Sequence, residues 1–240
     1  MKICAMLQVR DCSRNILFLL MTISRFVDDI VVLDHASKDD THRVVKLCPK
    51  TREVLRENEP NWAKVEMKNK QRLLEHSLLY KPDWLFWIDS DEVPSAQLVE
   101  GIRKLPGEHP NTSLFGFPEI NLWNDDRHYR VDEGWYPAWT YRLIKVNGGL
   151  KYPQKKGIGP RNTMIPEGKV HREPLLINGM PILHYGYMTE QQRKEKFDLY
   201  MKLDDNKDAV DKYFTYNKIV DDKVVMLKEV DPKWLLTPQT

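Results

Sequence analysis

Trp84-Leu85-Phe86-Trp87-Ile88-Asp89-Ser90-Asp91-Glu92-Val93 is an apolar run that breaks off into three carboxylates, with Pro94 directly behind it. An unbroken apolar strand of this kind belongs in a buried, largely parallel sheet, because a strand with one wet face would alternate. The carboxylates then fall where the strand leaves the sheet, the edge at which open α/β folds hold their ligands. Two aspartates one residue apart can offer oxygens to one hard cation, Mg²⁺ or Mn²⁺, whose other positions go to water and phosphates. The plainer reading of the same residues is a solvated acidic turn that starts the next helix.

The surrounding texture agrees with a sheet of that type. Residues 1–105 alternate strand and helix signals. Ile3–Val9 and the short run Ile30–Leu33 ending at Asp34 read as strands, as does Thr51–Leu55; Arg14–Phe26 and Asp40–Leu47 read as helices, the latter closed by Pro49. Trp62–Tyr80 is a long amphipathic helix with Met67, Leu74 and Leu78 on one face, and Ala96–Leu105 a helix entered through Pro94. Beyond Gly107 come two β-rich stretches, Leu114–Trp123 and Trp139–Val146, then a Gly/Pro/Lys-rich loop from Gly148 to Gly168. A short strand at Pro181–Tyr185, a charged helix at Thr189–Leu203 and a helical or irregular tail complete the chain. The expectation is an α/β fold with a mixed, mostly parallel central sheet flanked by helices. Residues 1–240 form one domain, with a nucleotide-binding half (1–105), an acceptor and metal-completing half (106–203) and a tail (204–240).

Bulk properties exclude several classes. The 240 residues are 41% hydrophobic and 30% charged, ordinary for a globular protein. A net charge of +2, from 37 basic and 35 acidic side chains, gives no polyelectrolyte surface and argues against a nucleic-acid binder. Cys4, Cys12 and Cys48 form no CxxC pair, which suits a reducing, cytoplasmic setting. Ile16–Ile23 is too short to span a membrane and lacks the flanks of a signal peptide.

Val31-Val32-Leu33-Asp34-His35-Ala36-Ser37-Lys38-Asp39-Asp40-Thr41, together with Trp87-Ile88-Asp89-Ser90-Asp91-Glu92, resembles the two hallmarks of family 2 glycosyltransferases of the GT-A fold: a strand ending in D-x-x-S-x-D-x-T, and a DxD strand end. Lys68-Asn69 is similar to the basic-Asn pair of that family's preceding helix. Tyr141-Arg142-Leu143-Ile144, Val170-His171 and Leu183-His184-Tyr185-Gly186 resemble later landmarks of its small bacterial and phage-type sugar transferases. The resemblance spans about residues 3–200.

It implies a metal-dependent enzyme that moves a sugar from a nucleotide-sugar, a UDP-sugar first, to a glycan or small hydroxyl acceptor, with inversion. Asp34 would contact the base, with Gln8, Arg10, Lys68 and Asn69 in the same pocket. Asp89 and Ser90 would face the ribose or sugar, while Asp91 and His184, with Asp89, would hold Mn²⁺ or Mg²⁺. The family's His-Glu base position reads His171-Arg172-Glu173 here, so Glu173 is the first candidate for general base, with Glu133 and Asp132 in reserve. The aromatic segment holding Trp123, Trp135, Tyr136 and Trp139 offers ring faces for an acceptor sugar. Two alternatives stay open: a nucleotidyltransferase acting on sugar phosphates, against which the glycine-free loop Arg10–Arg14 counts, and a non-catalytic glycan-binding protein.

Overall fold

A computed structural model describes residues 1–132, 134–135, 137–152, 165–168, 173–203, 217–220 and 225–236. The first half winds β1 (Ile3–Val9), α1 (Ile16–Ile23), β2 (Asp29–His35), α2 (Thr41–Val44), β3 (Thr51–Glu57), α3 (Trp62–Leu78) and β4 (Trp84–Trp87). β1 pairs in parallel with β2 on one side and β4 on the other, and β2 pairs in parallel with β3. The chain thus builds outward through β2 and β3, then returns to add β4 on the far side of β1. That reversal between β1 and β4 is the topological switch point, outside whose carboxyl ends ligands settle.

The alternation of side chains across a strand explains why these runs are apolar on both faces. Ile3, Ala5 and Leu7 of β1 pack in one core with Ile16, Leu19, Leu20 and Ile23 of α1. Cys4 and Met6 turn the other way, into a second core with Leu73 and Leu74 of α3 and Leu85 and Trp87 of β4.

The second half adds β5 (Glu92–Pro94), α4 (Ala96–Gly101), α5 (Leu105–Glu108), β6 (Leu114–Asn121), β7 (His128–Arg130), β8 (Ala138–Lys145), β9 (Leu175–Leu176), β10 (Ile182–His184), α6 (Glu190–Leu203), α7 (Asn217–Val220) and β11 (Leu227–Glu229). β8 runs antiparallel between β4 and β6, and β10 lies parallel to β6 with β5 antiparallel on its outer side. The result is one mixed, mostly parallel sheet in the order β3-β2-β1-β4-β8-β6-β10-β5, with β9 on β6. Helices flank it, so the α/β class expected from the sequence is observed.

Details differ from the sequence reading. The helix expected over Ala96–Leu105 begins behind Ser95, whose hydroxyl accepts the Leu98 N–H at 3.3 Å, and stops at Gly101. Pro106 then sits in the first turn of α5, where its missing N–H costs nothing. The tail is not wholly helical or irregular, because β11 pairs antiparallel with β7 as a small second sheet. Among the described residues no helix is long and apolar enough to cross a membrane.

Candidate active site at the carboxyl edge of the sheet

Strand pairing, not sequence proximity, assembles the centre. β5 holds Glu92 opposite His184 of β10, and the Tyr185 N–H donates to the Asp91 carbonyl at 2.8 Å. β6 brings Asn121 opposite His184 from the other side. His184 Nε2 therefore stands 3.2 Å from Asp91 Oδ2, while its Nδ1 donates to Asn121 Oδ1 at 2.7 Å. Lys196 reaches in from α6, with Nζ 2.7 Å from Asp91 Oδ2, 3.1 Å from His184 Nε2 and 4.4 Å from the centre of the Tyr187 ring. Burial pushes the Asp91 carboxyl up, but Lys196 and His184 outweigh it and hold the group well below the usual carboxylate range. Burial pulls Lys196 down, yet Asp91 outweighs it and keeps the ammonium well above its ordinary value.

Gly186 makes room for this trio. A Cβ there would lie 2.2 Å from Lys196 Nζ, 2.3 Å from Asp91 Oδ2 and 2.8 Å from His184 Nε2. The cradle would suit a small cation, but Lys196 already fills it. Among the described residues no group of three His, Cys, Asp or Glu side chains converges as a metal site. With the Lys196 ammonium on both Asp91 and His184, the residues as they stand do not fit the divalent ion expected on Asp91, His184 and Asp89. Asp89 is engaged elsewhere: Oδ1 accepts the Trp87 indole N–H at 3.2 Å, and Oδ2 is 3.6 Å from Arg142 Nη1.

Behind this turn lies a buried charge cluster. Arg142 of β8, fully buried, donates a very short hydrogen bond to Glu92 and lies 3.5 Å from Glu119. The second oxygen of Glu92 accepts the Asp89 N–H at 3.0 Å. Burial pushes Glu92 up, helped by Asp89 and Glu119, against the pull of the guanidinium.

The end of β2 forms the other part of the edge. Asp34 is fully buried; Oδ1 accepts the Ser37 N–H at 3.1 Å. Its Oδ2 has no hydrogen-bond partner, facing His42 Nδ1 at 3.4 Å and Arg56 Nε at 3.6 Å. Gln8 Nε2 bonds His35 at 3.1 Å, and Arg10 donates to the Pro60 carbonyl at 2.7 Å. The loop after β1 is laced to the turn after β2 by Cys12 N–H to Thr41, Ser13 N–H to Asp39 and Lys38 N–H to Asp11.

Lys68 and Asn69 part company. Lys68 is exposed beside Glu57 at 3.5 Å, whereas Asn69 is buried with neither side-chain polar atom hydrogen-bonded. The lysine turned toward β4 is Lys70, 5.8 Å from the centre of the Trp87 ring.

Three expectations need correction. β9 runs parallel to β6 with Leu175 opposite Phe115, so Glu173, just ahead of it, trails toward the amino end of β6. His184 stands at the carboxyl end, opposite Asn121, and from Phe115 to Asn121 the strand covers about 20 Å. Glu173 is out of reach of the site as its base. Asp132 is gripped by Arg130 at 2.7 and 2.8 Å; burial pushes it up, but Arg130 outweighs that and lowers it, which makes it a poor base. Trp123 and Trp135 are buried, packed edge to face at 4.9 Å; Arg130 stacks on both and Arg193 on Trp123, so they are no platform for a sugar. Trp139 is partly exposed on β8. Glu133 and Tyr136 lie outside the described residues, as do Val170 and His171.

No known family model matches the chain. Two curated proteins do, the uncharacterized proteins Rv3786c of Mycobacterium tuberculosis and Mb3815c of Mycobacterium bovis, each 22% identical over 223 residues, 85% of this chain and 51% of the relative. The chain thus spans about half the length of the curated relatives it matches. Among solved structures, S. aureus TarS residues 1–349 in complex with UDP overlaps 51% of this chain and 36% of its own, at 19% identity and a TM-score of 0.39. Mannosyl-3-phosphoglycerate synthase from Rubrobacter xylanophilus overlaps 52% and 42%, at 20% identity and a TM-score of 0.39. Glucosyl-3-phosphoglycerate synthase from Mycobacterium tuberculosis, in complex with Mn²⁺, UDP and phosphoglyceric acid, overlaps 52% and 44%, at 22% identity and a TM-score of 0.34.

Proposed function

We propose that this chain is a GT-A type glycosyltransferase that takes a sugar from a nucleoside diphosphate donor, a UDP-sugar, and passes it to a hydroxyl acceptor. One observation carries the reading: the two motif-bearing strand ends, Asp34 at the end of β2 and Asp89–Asp91 after β4, flank β1 at the topological switch point. Two strand spacings separate them by about 10 Å, a distance a nucleoside diphosphate bridges. Asp34 Oδ2, orphaned beneath His42 and Arg56, becomes an acceptor for a base N–H when those two side chains draw back. Asp89, one-third exposed, faces the ribose or sugar, and the diphosphate lies toward Asp91, His184 and Lys196.

The transfer is a single displacement. The acceptor oxygen bonds the anomeric carbon as that carbon's bond to the diphosphate breaks, and the bonding pair leaves on the diphosphate. The acceptor proton passes to a carboxylate. Of the three carboxylates named for that task, Glu133 is the one we retain. Charge growing on the departing diphosphate is met by fixed cations of the site, an effect that strengthens where water is excluded.

The test is calorimetric titration with UDP, GDP and dTDP, followed by cleavage of UDP-sugars with and without hydroxyl acceptors. UDP should bind most tightly, and acceptor should accelerate cleavage. If no nucleoside diphosphate binds at millimolar concentration, the reading fails.

A further inference from the structure

Lys196 sits where a metal-dependent enzyme would keep its metal. His184 is fixed by Asn121 through Nδ1, and its Nε2 faces Asp91 Oδ2 at 3.2 Å. The Lys196 ammonium joins this pair, donating to Asp91 at 2.7 Å and lying 3.1 Å from His184 Nε2. Gly186 leaves open the space where these three atoms converge, and the Tyr187 ring closes one side of the ammonium. Helical spacing aims it there: Arg193, Lys196 and Tyr200 share one face of α6, and Arg193 is anchored on the Tyr187 and Met188 carbonyls at 3.0 and 3.2 Å. The Lys196 side chain remains 21% exposed, whereas that of Arg142 has no exposed surface.

We propose that Lys196 is the site's own cation, which occupies the place of a divalent ion between Asp91 and His184 and neutralises the diphosphate of a bound nucleotide-sugar. This rests on the nucleotide-sugar reading of the same site. Nζ keeps its protons throughout and donates to diphosphate oxygens, so it forms no covalent bond. Unlike a metal, it cannot be removed by chelation. A divalent ion can enter only by evicting the ammonium from Asp91, and ion and lysine therefore compete.

The experiment is calorimetric titration of the full chain with UDP in EDTA, UDP in excess Mn²⁺, and Mn²⁺ alone, for the wild type, Lys196→Met and Lys196→Arg. The wild type should bind UDP in EDTA within about threefold of its affinity in Mn²⁺. Lys196→Met should lose about 10- to 100-fold in EDTA, the range for one charge-assisted hydrogen bond, and should bind Mn²⁺ alone at least about 10-fold more tightly. Lys196→Arg should keep most of the EDTA-resistant affinity. Strict dependence of wild-type UDP binding on Mn²⁺, or unchanged Mn²⁺ affinity in Lys196→Met, overturns the proposal. Absence of UDP binding under every condition defeats the nucleotide-sugar reading instead, and the Mn²⁺ titration then decides the role of Lys196 by itself. Should Lys196→Met fail to fold, the wild-type comparison and Lys196→Arg carry the decision.

Discussion

Gly186→Ala is a steric probe of the centre that leaves every functional group in place. Gly186 is not among the residues with positive φ, so alanine can adopt its backbone and the effect is that of one methyl group. That methyl would stand 2.2 Å from Lys196 Nζ, 2.3 Å from Asp91 Oδ2 and 2.8 Å from His184 Nε2. Ordinary contact lies near ~3.5 Å, so the lysine and the aspartate must each retreat by roughly 1 Å. The 2.7 Å Lys196–Asp91 bond cannot survive that intact. A hydrogen bond between charged groups contributes ~1.5–3 kcal/mol. Discounted for partial exposure, the loss is about 1–2 kcal/mol, and at ~2–4 °C per kcal/mol for a chain of this size the Tm should fall by roughly 2–8 °C. A displacement of about 1 Å in a binding site costs about 10²-fold, so UDP affinity or turnover should fall further than stability explains. Gly107→Ala is the control: it lies in α5 with nothing within 4 Å of its Cβ position and should be neutral or slightly stabilising. Differential scanning calorimetry and UDP titration give both quantities. A Gly186→Ala protein with wild-type Tm and wild-type UDP affinity would refute the convergence of Lys196, Asp91 and His184 on this point.

Arg142→Met should destabilise the fold by about 3–5 kcal/mol in urea denaturation, because Glu92, Asp89 and Glu119 lose their buried counter-charge; a loss under about 1 kcal/mol would show that the cluster does not depend on it. Asp34→Asn keeps the volume but removes the charged acceptor, so UDP affinity should drop about 10- to 100-fold with little change in Tm, and unchanged affinity would take the base away from β2. Asp39 gives a pH signature. Burial pushes its carboxyl up, but hydrogen bonds from Thr41 and Ser13 outweigh that and bring it down from 3.8 to about 2. Its contribution is therefore present above about pH 4 and lost as the pH falls toward 2. Asp39→Asn should flatten the stability curve over that window, and parallel acid limbs for the two proteins would exclude the assignment.

The parts of the molecule legible in the sequence were those where burial alone dictates residue type. β1, β2 and β4 are buried on both faces, so their apolar runs and the polar residues ending them stood out. β5, β7, β9 and β11 have two or three residues each, too few for a period, and exist because a partner strand supplies hydrogen bonds. Register was equally hidden. Nothing in His171-Arg172-Glu173 reveals that β9 joins β6 near Phe115, and that pairing alone carries Glu173 to the wrong edge. The Trp123–Trp139 segment looked like a sugar platform because indoles beside charges suggest one. Two of its indoles stack instead on Arg130, and one also on Arg193, which a list of residue types cannot distinguish from an open face. Lys196 had a readable signal: Phe197, Tyr200 and Met201 mark the inward face of α6, and Lys196 lies one helical turn before Tyr200.

Exposure separates the two cations of the site into different tasks. Arg142 has no exposed side-chain surface, and Glu92, Asp89 and Glu119 surround it and take up its charge. It fixes the carboxylates behind the turn, and its removal should be felt mainly in folding. Lys196 lies nearer the surface, its side chain 21% exposed, against Asp91 and His184. Its removal should be felt mainly in binding. A metal in the same place would have to serve both roles at once, since it would hold the Asp91 turn together and also meet the diphosphate. Here the fold has a separate buried guanidinium for the first role, which frees the ammonium for the second. The paired substitutions Arg142→Met and Lys196→Met make that division measurable: stability should respond chiefly to the first and EDTA-resistant UDP affinity chiefly to the second. A reversed pattern would mean that Lys196 is the structural ion pair and that the diphosphate finds its counter-charge elsewhere.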